Sequence, residues 1–153
     1  MTTAITLAGP EALETVLGLM ERRQIESGHA DWSDADRAFH TRATQPLCAG
    51  GPEGAVWLIG PARAPLGYAI VTFGWGLDIG GRVGWLDDLF IRPSVRRRGI
   101  GREVANAIAV SLRQAQVNVI RVRLPRGEAS AQEFCHACGI ALDTGHILLS
   151  DTA

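Results

Sequence analysis

Three runs rich in β-forming residues lie in succession in the middle of this chain: "AVWLIG", "PLGYAIVTFGW" and "VGWLDDLFIRP". "LDIGGR" reads as the turn between the last two. Helical patterns flank this block on both sides. Before it, Leu13, Val16, Leu17 and Met20 recur at helical spacing between Glu11 and Glu26, with Pro10 where a first turn tolerates it. Ser33 is placed to N-cap a second, short helix through "DADRAFHTRA", and "CAGGPEG" follows as a loop. After the block, Ile100, Val104, Ile108 and Leu112 form a stripe on a helix from Gly99 to Gln116, and "VNVIRVRLP" is a strand. Ser130 and Glu133 have capping-box spacing for a short helix that Gly139 ends, and "GHILLS" reads as a closing strand. With "AITLA" as the first strand, the order is β-α-α-β-β-β-α-β-α-β, an α+β domain with a mixed sheet.

Residues 1–153 are read as a single domain, since the chain has no linker, repeat or low-complexity tract. The formal net charge is -1, whereas a chain that lives on DNA or RNA carries a basic excess; no nucleic-acid partner is expected. No apolar run approaches the roughly 20 residues of a membrane span, and "MTTAITLAGPEALE" lacks the charged and apolar regions of an export signal, so no membrane partner is expected. Three cysteines, an odd number, argue against a disulfide framework and for the cytoplasm.

The passage "IRPSVRRRGIGRE", Ile91 to Glu103, carries the clearest chemistry. A strand runs through a basic turn into a G-x-G and then a helix, which is how backbone N–H groups at a helix start come to bind an anion. Gly99 and Gly101, without Cβ, let a phosphate approach the backbone, and the arginines add charge and forked donors. The pattern is neither a Walker loop nor a dinucleotide fingerprint.

"LDDLFIRPSVRRRGIGREV" resembles the acyl-CoA-binding segment of the GCN5-related N-acetyltransferases (GNAT), whose mark R/Q-x-x-G-x-G/A corresponds to Arg96-Arg97-Arg98-Gly99-Ile100-Gly101. "PLGYAIVTFGWGLDIGGRVGWLDDLFI" is most similar to the diamine branch, spermidine/spermine N1-acetyltransferase among it. The resemblance implies the GNAT fold: a mixed, mostly antiparallel sheet of six to seven strands flanked by four helices. It implies acetyl-CoA as co-substrate, a small-molecule amine as acceptor, and a homodimer. The CoA pyrophosphate would lie on the N–H groups of Arg97, Arg98, Gly99, Ile100, Gly101 and Arg102, with Arg96 adding a side-chain contact. The pantetheine arm would pair with the main chain of Leu89, Phe90 and Ile91, and an N–H near Leu89 would polarise the thioester carbonyl.

An amine of pKa about 10 arrives as an ammonium, so a base is needed. Asp87 and Asp88 stand mid-strand where core would be apolar, and without a bulge only one of them can face the cleft. The resemblance puts Asp87 at the base position and Asp88 at the neighbouring acid; pairing with Arg82, Arg121 or Arg123 is the structural alternative. Cys135 replaces the family's tyrosine acid, and either donates a proton to the leaving thiolate or packs as a small apolar filler. Glu128 occupies the usual asparagine position, where a carboxylate cannot donate to pantetheine. "CHAC" lacks further ligands at metal spacing, so no metal is expected. The acceptor wall would include Glu26, Trp32 and Trp75, carboxylate and aromatics that suit a cation, although Arg22 and Arg23 argue against a purely anionic pocket. Protein or aminoglycoside amines, and a non-catalytic acyl-CoA sensor, stand as alternatives.

Overall fold

A computed structural model describes residues 2–29 and 31–151. Its elements are β1 (Ile5–Leu7), α1 (Leu13–Glu26), α2 (Asp34–Cys48), β2 (Gly54–Ile59), β3 (Gly67–Gly76), β4 (Gly81–Ile91), α3 (Ile100–Gln114), β5 (Val117–Val122) and α4 (Ala129–Ala137). The chain falls into two compact units, one up to Arg123 and one from Leu124.

In the first unit the strands form one sheet in the order β1-β2-β3-β4-β5. β1 to β4 pair antiparallel and β5 joins β4 in parallel, so the expected mixed, mostly antiparallel sheet is present. Because side chains alternate along a strand, β3 feeds two cores. Tyr68 and Ile70 pack with Val16, Leu17 and Met20 of α1 and with Leu47 of α2. Ala69 and Val71 pack with Val104, Ile108 and Leu112, the predicted stripe of α3. Each Val, Leu, Ile and Met side chain among these, mostly buried, contributes on the order of 1.5–3 kcal/mol.

The α2 N-terminus forms as its sequence predicts. The Ser33 hydroxyl accepts from the Asp36 N–H at 3.1 Å, and the Asp36 carboxylate accepts from the Ser33 N–H at 2.9 Å. Ser33→Ala should cost about 1 kcal/mol and lower the Tm by roughly 2–4 °C in a thermal melt. The helix outruns its expected end, passing through Pro46 to Cys48. Leu47 and Cys48 are buried, and a proline in the last turn removes only one N–H bond.

Among the described residues the sheet has five strands, where six to seven were expected. The difference lies in the second unit. "GHILLS" is not a strand there, and Ile147, Leu148 and Leu149 are exposed. Its helix α4 begins one residue before Ser130, with Glu128 at the N-cap and no side-chain cap, so the Ser130–Glu133 box is not made. Gly139, at φ 82°, follows the helix as expected.

Candidate functional site

β4 carries a β-bulge. Ile70 on β3 pairs with Asp88 and the next residue, Val71, with Leu86, which leaves Asp87 as the extra residue. The bulge reverses the strand's alternation. Leu86, Leu89 and Ile91 pack toward α3, while Asp88 and Phe90 face α1 and α2. Asp87 takes the same side as Asp88. The Thr72 hydroxyl donates to Asp87, and the Tyr68 hydroxyl donates to Asp88 at 2.7 Å, from two positions of like parity on β3. Both carboxylates therefore share one face.

Their surroundings differ. Asp88 is only 17% exposed and accepts from Arg23 of α1 at 2.6 Å as well as from Tyr68. Burial pushes its carboxyl above the ordinary carboxylate range, opposed by the Arg23 guanidinium and the Tyr68 hydroxyl. Burial, reinforced by Asp88, pushes the Tyr68 hydroxyl far above the usual phenol range. Tyr68 is the chain's one tyrosine and is fully buried, so it is held in this bond. Asp87 is 32% exposed and lies 3.4 Å from Arg123, at the end of β5, whose guanidinium stacks 4.6 Å from the Trp85 ring centroid.

The main chain beyond the bulge is open on one side. β5 pairs with β4 only up to Leu86. The Arg92 N–H bonds Leu66 O at 2.8 Å on the β3 side, and the Phe90 carbonyl also lies against Gly67 of β3. By alternation Leu89 and Ile91 present their N–H and C=O groups to the other side, where β5 has turned away. Arg96 folds back there. Its Nε donates to Ile91 O at 2.7 Å, and its guanidinium lies 5.7 Å from the Phe90 ring centroid.

Past a short 3₁₀ turn, Pro93–Val95, the backbone takes two left-handed residues, Arg97 at φ 62° and Gly99 at φ 78°, and enters α3. The first helical bond runs from the Glu103 N–H to Gly99 O at 3.1 Å. The N–H groups of Ile100, Gly101 and Arg102 precede it and have no intrahelical acceptor. Arg97, Arg98 and Arg102 are exposed around them. This arrangement fits a pyrophosphate: open N–H groups, the positive end of a helix and a cationic rim.

The remaining candidates are dispersed. Glu26 is exposed three residues after Arg23 on α1. Trp32 stacks on His40, with ring centroids 5.0 Å apart, and packs against the α1–α2 core. Trp75 is 67% exposed and has the parity of Val71 and Phe73, so it lies on the sheet face away from the two aspartates. An apolar groove of about 490 Å³ on that same face, between α3 and Ile5, Leu7, Trp57 and Phe73, has no titratable side chain in its lining. Cys135, in the second unit, is buried, and burial followed by Cys138 pushes its thiol up. Among the described residues no group of three or more His, Cys, Asp or Glu could hold a metal ion.

Sequence reasoning missed Tyr68 and Thr72 as partners of the acids and Arg23 as the partner of Asp88; Arg123 had been named. The apolar run hid Tyr68, whose single polar atom shows only once β3 and β4 are in register.

The model of the acetyltransferase (GNAT) family matches residues 17–140. No curated protein sequence matches the chain. Among the solved structures that share the fold are the following three. An integron cassette protein from the mobile metagenome of Cole Harbour Salt Marsh is 24% identical, with a TM-score of 0.79 over 97% of this chain and 89% of that one. A possible acetyltransferase from Clostridium difficile 630 is 13% identical, with a TM-score of 0.82 over 100% and 99%. Aminoglycoside N-acetyltransferase AAC(6')-Iy, in complex with CoA, is 17% identical, with a TM-score of 0.77 over 99% and 95%.

Proposed function

From the premise that the chain belongs to the GNAT family of acetyltransferases, we propose that it moves an acetyl group from acetyl-CoA to a primary amine of a small molecule, polyamine-like or amino-acid-like, by direct attack in a ternary complex. Acetyl-CoA is the co-substrate of this family. The observation that carries the reading is the β4 bulge, which sets two carboxylates on one face where the strand's edge opens and leads on into the anion-binding turn.

Asp87 is the base. It is the more exposed acid and its arginine is 3.4 Å away, so it can take a proton from an arriving ammonium, directly or through water. Asp88, held by Arg23 and Tyr68, fixes the strand and the cleft wall. Leu89, Phe90 and Ile91 form the main-chain stretch that pairs with pantetheine, and an N–H near Leu89 polarises the thioester carbonyl. The N–H groups from Arg97 to Arg102 hold the pyrophosphate. With the chain's one tyrosine bound to Asp88, water protonates the departing thiolate. The family match crosses the boundary between the two units, which supports reading 1–153 as one N-acetyltransferase domain. A cytoplasmic homodimer completes the reading.

The test is thiol release from acetyl-CoA on addition of amines, aminoglycosides included, alongside CoA binding by calorimetry. A β-branched residue at a left-handed position costs on the order of 1–2 kcal/mol, so Gly99→Val should weaken CoA about tenfold. Tight CoA binding with no amine acetylated would make the protein a sensor instead.

A further inference from the structure

The charges around the two acids narrow the acceptor. Asp88 holds Arg23 and Asp87 holds Arg123, so the four side chains sum to zero formal charge. The acids lie beneath and the cations form the rim. Arg23 and Arg123 are 50% and 51% exposed, against 17% for Asp88 and 32% for Asp87. The next cation along β5, Arg121, is tied to Asp78 at 2.5 Å. A polyamine with several ammonium groups would meet two guanidinium groups before reaching a carboxylate, and like charges at such range repel.

Arg123 has the form of an anion receptor. Its guanidinium carbon is held 4.6 Å from the Trp85 ring centroid, and among the described residues it donates to one side chain, Asp87, at 3.4 Å. Most of its five N–H donors therefore remain for a planar oxyanion. The base and this receptor are neighbours, as an amine and a carboxylate are in one small molecule.

We propose that the acceptor is an amine carrying its own carboxylate, an amino-acid-like zwitterion, whose carboxylate binds Arg123 while its ammonium faces Asp87. This rests on the acetyltransferase reading of the same cleft. The ammonium gives one proton to Asp87, and the freed nitrogen forms the C–N bond to the thioester carbonyl carbon. As the C–S bond breaks, the second proton passes from the nitrogen through water to the departing thiolate, which leaves as CoA thiol. Asp87 returns its proton to water.

The test compares each common amino acid, and β-alanine, with its own amide in thiol release, with spermidine as the polycation. An acid should exceed its amide at least tenfold in kcat/KM, the range of a charge-assisted hydrogen bond, and exceed spermidine likewise. Arg123→Gln should bring the acid-to-amide ratio toward one, and Arg123→Lys, which keeps the charge without the fork, should give an intermediate ratio. The ratio is internal to each variant, so a general loss of folded enzyme does not move it. Amides or spermidine used as well as acids, or a ratio unchanged in Arg123→Gln, overturns the proposal and leaves the acetyltransferase standing. Silence from every amine with acetyl-CoA still bound overturns both.

Discussion

Asp87→Asn should lower kcat/KM for the acceptor by about 10² to 10⁴, the usual worth of a positioned proton acceptor, and leave CoA affinity near that of the parent protein. The amide keeps the size of the side chain and can still take the Thr72 hydroxyl bond, but it has no lone pair basic enough to strip an ammonium. The remaining activity should rise with pH, as more acceptor arrives already neutral. Asp88→Asn is the informative companion. Asp88 meets Arg23 and the buried Tyr68 hydroxyl, so its loss should show first as lower stability and as a raised KM from a displaced cleft wall. If Asp88→Asn lost the rate while Asp87→Asn kept it, the roles assigned to the two acids would have to be exchanged. Steady-state kinetics on both variants, with thermal melts, decides between these outcomes.

Gly67→Ala should be the most damaging single methyl in the first unit. A Cβ there would stand 1.9 Å from the Phe90 carbonyl oxygen and 3.0 Å from the Ile91 Cα, backbone atoms with no rotamer to turn away. The strands must part, which should cost about 3 kcal/mol and roughly 6–12 °C in Tm. The displaced segment is the stretch of β4 assigned to pantetheine, so acetyl-CoA should bind more weakly as well. Gly18→Ala is the control. It lies in α1 with nothing within 4 Å of the new Cβ, and should stabilise by roughly 0.5–1 kcal/mol. A Gly67→Ala protein that melts like its parent would show that the close approach of β3 and β4 is not tight.

Much of this fold was legible because its signals are local. The α3 stripe lies within one helix, and its three buried members need only the 3.6-residue period to be seen. The Ser33 cap spans four residues. The arginine-glycine turn could be read because glycines without Cβ beside arginines suit an approaching phosphate, whereas the left-handed conformation of Arg97 and Gly99 is seen only in the structure. What stayed hidden depends on distant partners. Arg23 and Asp88 are 65 residues apart, and no periodicity links a helix arginine to a strand aspartate. Two adjacent acids look the same in sequence whether a strand alternates or bulges; the answer came from Val71 pairing with Leu86. "GHILLS" has the composition of a strand, but composition does not supply a neighbouring edge.

The bulge amounts to a phase slip of one residue. Leu86 and Leu89, both directed at α3, are three positions apart where a regular strand would place them two apart. Remove Asp87 from the count and β4 alternates without interruption: Leu86 toward α3, Asp88 toward α1 and α2, Leu89 toward α3, Phe90 toward α1 and α2. Every core contact of the strand can be written without that residue. The sheet is thus a complete scaffold onto which one carboxylate has been inserted, and deleting Asp87 would remove the acid proposed as the base while leaving the strand's core contacts in place.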